Sequence, residues 1–113
     1  FLPDGADPAI DDAAWAKAAK PDWAGSFLVD ITEAYASFGP DEWRTDKLKA
    51  TMESLMLPYE IKLGKAQALP RVAVTGRSVG PPLFEALEVL GQNETVRRLR
   101  AAVTRMASKP EAD

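Results

Sequence analysis

The chain has 113 residues, enough to bury one hydrophobic core, and its 46% hydrophobic and 27% charged residues exclude a disordered protein. It contains neither cysteine nor histidine, which excludes disulfides, thiolate chemistry and the commonest general base and metal ligand. The net charge of −3 is uneven, because residues 1–57 carry −6 and residues 58–113 carry +3. We therefore expect an anionic partner on the C-terminal half, although arginines that only solvate a helix face would give the same pattern.

Nothing in the sequence predicts a membrane protein. No apolar stretch approaches the roughly 20 residues that span a bilayer, and the first residues lack the basic and apolar regions of a signal peptide. We therefore expect a cytoplasmic protein with no membrane partner. We separately expect a monomer. Because the first residue is Phe1 and not methionine, we also expect the chain to be a piece of a longer protein.

The first half of the chain is predicted to form three helices. Asp7-Pro8 is a helix start signal, and the alanine-rich run over residues 9–20 has a high helix propensity. Large apolar residues then recur every three or four positions over residues 23–38, which is the spacing of one helix face. A third helix is predicted over residues 45–57, where the next proline stops it.

The second half begins with a connector over residues 58–66, and the following segment is ambiguous. β-Branched residues alternate with other types over residues 70–75, as in a short strand. The sequence offers no convincing second strand nearby to pair with this segment, so we favour a short helix that ends at Gly76. Two more helices are predicted over residues 81–91 and 93–108. Gly91 closes the first of them, and Asn93 is a cap at the start of the second. The fold is therefore expected to be all-α, a small bundle or cage of five or six helices with short loops.

Catalysis by this chain is not indicated. Residues 75–82 lack the Gly-Lys-Ser/Thr ending of a phosphate-binding loop. Glu85 and Glu88 share a helix face but have no nucleophile, base or metal partner. A binding surface remains, because residues 71–100 combine arginines, a rigid Gly-Pro-Pro turn and the aromatic Phe84, which are the parts that single-stranded RNA requires. Packing in the core accounts for the aromatic ring equally well.

Several short motifs of the C-terminal half resemble one family. They are Leu69-Pro70-Arg71-Val72-Ala73-Val74-Thr75-Gly76, then Gly80-Pro81-Pro82-Leu83-Phe84-Glu85, then Leu90-Gly91 and Arg98-Leu99. Together they resemble the C-terminal anticodon-binding domain of bacterial glutamyl-tRNA synthetases. The resemblance is most specific over residues 64–101, weaker around Trp43 and residues 48–57, and limited to helical character over residues 1–40.

The resemblance implies a helical region that binds the anticodon loop of tRNA as part of a glutamate–tRNA ligase. No cofactor is expected in this chain, because ATP and magnesium belong to the catalytic domain of the parent enzyme. The expected partners are tRNA, with the glutamate acceptor favoured, and the rest of the synthetase. Two alternatives stay open for the parent enzyme: it accepts only the glutamate anticodon, or it also accepts the glutamine anticodon. The expected division is a helical lead-in over residues 1–40, an anticodon-binding subdomain over 41–108 and a flexible tail over 109–113.

The resemblance also implies an RNA-binding set of eight residues. Arg71 matches an arginine that contacts an anticodon base, and a guanidinium that pairs bidentately with a base edge suits discrimination. Some relatives carry a hydroxyl side chain at the position of Gly80, and any contact of that hydroxyl with the RNA is lost here. The others form the turn and helix start that hold the first anticodon base, or offer charge to the RNA backbone; they are Pro81, Leu83 and Phe84, and Arg77, Arg97 and Arg98.

One rival hypothesis belongs to another class of function. The chain would then be a helical protein-interaction module whose apolar turn docks another protein, with no role in RNA binding. Binding that is insensitive to salt and indifferent to RNA would favour this alternative.

Overall fold

The computed structural model describes residues 10–107, which form helices joined by short connections and contain no strand. The α-helices are α1 (Asp12–Ala18), α2 (Ala24–Ala36), α3 (Thr45–Met56), α4 (Leu63–Ala66), α5 (Ala68–Thr75), α6 (Leu83–Leu90) and α7 (Gln92–Ala107). Two short 3₁₀ turns lie at Pro40–Glu42 and Leu57–Tyr59. Since α4 is a single turn, six helices within this range are longer than one turn, and the predicted all-α class is confirmed. No helix within residues 10–107 has the length and apolar character needed to cross a membrane.

Two helix ends follow from local chemistry. Helix α1 begins later than predicted, because the Asp11 side chain accepts a 3.1 Å hydrogen bond from the backbone N–H of Ala13 and caps the helix there. The predicted start signal at Asp7-Pro8 lies outside the described residues. The ambiguous segment is helix α5, and Gly76 ends it with a φ of 83°, a left-handed conformation that glycine adopts without steric cost.

The core is shared by both halves of the described chain. Helix α2 packs on α3 and α7, α1 packs on α5, and α3 packs on α6. The buried Tyr35 hydroxyl donates a 2.8 Å hydrogen bond to the Leu48 carbonyl oxygen. The Gln92 side-chain amide donates to the carbonyl oxygens of Tyr35 and Phe38, which links the end of α2 to the start of α7. The boundary after residue 40 stays a prediction, although helices on both sides of it share one core; the predicted tail lies outside the described residues.

The loop over residues 76–82, between α5 and α6, is tied to the rest of the fold near its start. The backbone N–H of Asp11 donates a 2.9 Å hydrogen bond to the Gly76 carbonyl oxygen, which attaches the residue before α1 to the loop. Two residues earlier, the Val74 carbonyl oxygen accepts a 2.9 Å hydrogen bond from the Arg98 guanidinium on α7. These contacts hold the end of α5 and so determine where the exposed part of the loop projects.

Candidate nucleic-acid interface

The loop between α5 and α6 is exposed from Arg77 to Pro82 and is held by an arginine of α5. Arg71 Nη1 donates a 2.7 Å hydrogen bond to the Pro81 carbonyl oxygen, and Nη2 lies 3.4 Å from the Gln67 side-chain oxygen. A Cβ atom at Gly80 would lie 3.8 Å from Arg71 Nη1, an ordinary van der Waals distance. The structure therefore brings three of the predicted RNA-binding residues together around one guanidinium.

The next two predicted residues are mainly core residues. Leu83 is 1% exposed and Phe84 is 6% exposed, and both belong to the hydrophobic core cluster. Their remaining surface lines an open cleft beside the loop. With only 6% of the residue exposed, Phe84 offers little surface for the stacking of a base in this conformation.

This cleft has a volume of about 700 Å³ and lies between the first turns of α3 and α6. Its charged lining residues are two cations and three carboxylates, namely Arg44 and Lys49, and Asp46, Glu85 and Glu88. Mixed donors and acceptors of this kind suit base edges, which carry amino groups as well as carbonyl and ring-nitrogen acceptors. The cleft is therefore better suited to the polar edge of a base than to a phosphate alone.

One carboxylate of the cleft also serves the fold. Glu88 Oε1 accepts hydrogen bonds of 2.6 Å from both the backbone N–H and the hydroxyl of Thr45, the first residue of α3. These hydrogen bonds lower the pKa of Glu88 below its usual value. An anionic Glu88 therefore links α6 to the N-terminus of α3, where negative charge is stabilising.

One of the other predicted arginines, Arg98, is buried, whereas Arg77 and Arg97 have accessible side chains. The Arg98 side chain was expected at the surface, but the residue is 2% exposed, and its Nε donates to Glu94 at 2.8 Å. The expectation was wrong because Arg98 lies three residues after Thr95 and four before Ala102, so all three share the inward face of α7. Arg98 therefore does not offer charge to a ligand.

The other two predicted arginines are accessible. The side chain of Arg97 is 39% exposed and forms an ion pair of 2.6 Å with Glu94. Arg77 is exposed at the start of the loop, directly after Gly76. Arg77 therefore belongs to the same loop as Gly80 and Pro81. Arg97 lies on α7, in an open groove of about 350 Å³ that also includes Arg100.

Three polar residues of the candidate interface were not anticipated from the sequence. Gln67 contacts Arg71, and Arg44 and Lys49 line the cleft from α3. The four-residue spacing between Gln67 and Arg71 was the available signal, since side chains at that spacing meet on a helical turn. No such signal exists for the α3 residues, because they approach the loop only through tertiary packing.

No metal centre is visible in residues 10–107, where no group of three or more Asp, Glu, His or Cys side chains is placed to hold an ion. The candidate interface combines hydrogen-bonding, charged and apolar side chains of this chain. Such a set is equipped for recognition of a ligand.

Comparison with known proteins identifies the family of this chain. The family described as the anticodon binding domain matches residues 1–103, and the chain belongs to that family. Similar curated proteins are the glutamate–tRNA ligases of Salinispora tropica, 50% identical over 99 residues, and Frankia alni, 52% identical over 99 residues, each match covering 88% of this chain. The Thermobifida fusca glutamate–tRNA ligase is 46% identical over 105 residues, or 92% of the chain.

These relatives are much longer than the chain. The matched regions make up 21%, 20% and 22% of the three ligases, so the chain spans about a fifth of their length. The similarity therefore shows the domain family of this chain and does not extend to the activity of the longer proteins.

Proposed function

We propose that this chain recognises the anticodon loop of a tRNA as part of a glutamate–tRNA ligase. The observation that carries the proposal is the hydrogen bond from Arg71 to the Pro81 carbonyl oxygen. It places an arginine against an exposed, proline-stiffened loop at the edge of a cleft with mixed hydrogen-bonding character. Unpaired anticodon bases are recognised by such a combination of rigid backbone, guanidinium and cleft.

Arg71 retains hydrogen-bonding capacity for RNA. A guanidinium carries five N–H donors, and the contacts to Pro81 and Gln67 engage two of its nitrogens. The remaining donors pair with a base edge or a phosphate of the loop. Gly80 and Pro81 bring backbone close to the base, while Leu83 and Phe84 supply the apolar floor of the cleft. Arg77 attracts the RNA backbone at the rim, and Arg97 does so from α7.

The rest of the ligase supplies the chemistry. ATP, magnesium and glutamate are bound by the catalytic part of the parent enzyme, and this chain contributes the anticodon contacts alone. The favoured RNA is the tRNA that accepts glutamate, which the named relatives charge. We place the protein in the cytoplasm, acting as a monomer on one tRNA.

The test is a fluorescence-anisotropy titration of the 113-residue chain with a glutamate anticodon stem-loop at low salt. A stem-loop with a scrambled anticodon serves as the RNA control. We expect tighter binding of the matched loop, and loss of that preference in Arg71→Ala. Lys47→Ala is the matched protein control, because Lys47 is exposed on α3, carries the same charge and does not line the cleft. Equal binding of the two loops by the unaltered chain would contradict the proposal.

Salt dependence separates the electrostatic contribution from base recognition. Arg77→Ala should weaken binding of both stem-loops alike and lower the slope of log affinity against log salt by about one, as expected for loss of one phosphate contact. The preference for the matched anticodon should persist in this variant. Indifference to RNA together with salt-insensitive binding of a protein would instead favour the interaction-module hypothesis.

A further inference from the structure

A second cleft includes one residue of the loop between α5 and α6 and shares no lining residue with the first cleft. Its volume is about 340 Å³, and its walls come from α1, the residues before α2, α4, α5 and the loop residue Ser78. Most of the wall is small and apolar, formed by Ala14, Ala18, Pro21, Gly64, Ala68 and Val72. This volume is at the lower end of the range for small-ligand pockets, and it suits a single flat ring.

The one large ring in the wall, that of Trp23, packs against two other aromatic rings. Trp23 is partly buried, and its indole packs edge-to-face on Phe27 with ring centroids 6.1 Å apart. A second neighbour, Tyr59, lies at a centroid distance of 6.5 Å. A ring restrained in this way loses little conformational freedom when another planar group packs on it.

The polar part of the cleft is positively charged. Lys17 on α1 and Lys65 on α4 both line it, and its lining includes no carboxylate. Each lysine stands in the last turn of its helix. An apolar slot with an indole wall and two ammonium groups is complementary to a nucleobase that carries a phosphate.

The loop over residues 76–82 contributes to both clefts. Ser78 lines the second cleft, and Pro82 lines the first. A single strand of RNA that crosses this loop therefore meets both clefts in succession. The second cleft is in this sense continuous with the proposed anticodon surface.

We propose that the second cleft holds another unpaired base of the same RNA loop, packed against Trp23, with its phosphate near Lys17 and Lys65. The proposal rests on the proposed function and adds a second base-binding site to it. The chain would then hold bases in two clefts, each lined by a residue of the loop between α5 and α6.

Gly64 offers a way to fill the cleft without disturbing the fold. It lies in α4, and a Cβ atom built on it meets no atom within 4 Å. Gly64→Leu therefore adds apolar bulk at a helical position where glycine is the less favourable residue. Ala101→Leu is the matched control, because Ala101 is exposed on α7 and lines neither cleft. Thermal unfolding of both variants checks that they fold like the unaltered chain.

The experiment is a titration with anticodon stem-loops in which the loop nucleotides are made abasic one at a time. We expect Gly64→Leu to weaken binding at least about fivefold, the lower end for loss of one stacked base, and Ala101→Leu to leave it unchanged. At one loop position, removal of the base should weaken binding by the unaltered chain, and Arg71→Ala should not change the size of that loss. The same abasic stem-loop should bind Gly64→Leu as tightly as the intact stem-loop does. The indole N–H resonance of Trp23 should shift on titration of the unaltered chain.

Two results overturn the inference, and they are distinguishable. If the matched stem-loop is preferred and depends on Arg71, while Gly64→Leu binds like the unaltered chain and the Trp23 resonance does not move, the second site is wrong and the proposed function stands. If the unaltered chain shows no preference for the matched stem-loop, the proposed function fails and the second site fails with it.

Discussion

The Arg98 guanidinium donates a hydrogen bond of 2.9 Å to the carbonyl oxygen of Val74, inside the core between α7 and α5. Its Nε also donates to Glu94 at 2.8 Å, so an ion pair on α7 is connected to the last turn of α5. The next residues of the chain are Thr75, Gly76 and the exposed loop. Arg98 is therefore a structural link between the longest helix and the start of the candidate interface.

Replacing Arg98 with methionine should destabilise the protein by about 3 kcal/mol, because loss of one partner leaves a buried carboxylate without full compensation. The loss should lie at the lower end of the range for buried pairs, since Arg97 still contacts Glu94. Urea unfolding monitored by tryptophan fluorescence measures the change. The double variant Glu94→Gln, Arg98→Met should recover part of the stability, whereas an unchanged midpoint in Arg98→Met would show that the buried network contributes nothing.

Arg71→Lys should retain attraction to RNA and lose discrimination. Lysine keeps the positive charge but lacks the planar fork that pairs with a base edge and reaches the Pro81 carbonyl oxygen at the same time. We expect the preference for the matched anticodon to fall by about 1–3 kcal/mol, with a similar salt slope. Anisotropy titrations at several salt concentrations measure both quantities. A preserved preference in Arg71→Lys would show that charge alone is responsible.

The two tyrosines should both resist ionisation in the folded protein. Burial raises the pKa of Tyr35, and the hydrogen bond to Asp30 raises the pKa of Tyr59 to about 12. Since both folded values exceed the unfolded value near 10, the stabilising contribution of each tyrosine is fully present below about pH 10. The contribution of Tyr59 is lost as the pH rises through about 12, and that of Tyr35 at higher pH. Absorbance of phenolate at pH 10 should be low in native protein and should appear in urea. Ionisation of both residues near pH 10 without denaturant would contradict this account.

Glu88 should make the stability sensitive to acid. Its pKa is lowered by the hydrogen bonds from Thr45, so its stabilising contribution is present above the unfolded value and is lost as the pH falls through the folded value. Below about pH 4, the usual range for a glutamate, the unaltered chain should lose stability more steeply than Glu88→Gln. Urea unfolding at a series of acidic pH values compares the two, with Glu53→Gln, an exposed glutamate on α3, as control. Parallel curves for all three proteins would exclude a role for this contact.

Much of the fold was accessible from the sequence, because its signals are local. Helix propensity predicted the first helix, spacing of apolar residues predicted the second, and Gly76 ends α5 as its position indicates. Residues 70–75 were resolved in favour of a helix by the absence of a pairing strand, an argument about backbone hydrogen bonds that needs no tertiary information. The late start of α1 was missed, because the cap depends on which of several aspartates forms the hydrogen bond.

The candidate interface was accessible only in part. The sequence by itself determined the all-helical class, the rigid Gly-Pro-Pro turn and the presence of Arg71 near it, since these depend on residue type and short spacing. Tertiary packing alone decided that Arg98 is buried while Arg97 remains partly exposed, that α3 contributes Arg44 and Lys49 to one cleft, and that α1 and α4 form another. The surroundings of these charged residues come from helices that are distant in sequence. Only the packing of those helices therefore determines which charged side chains reach solvent.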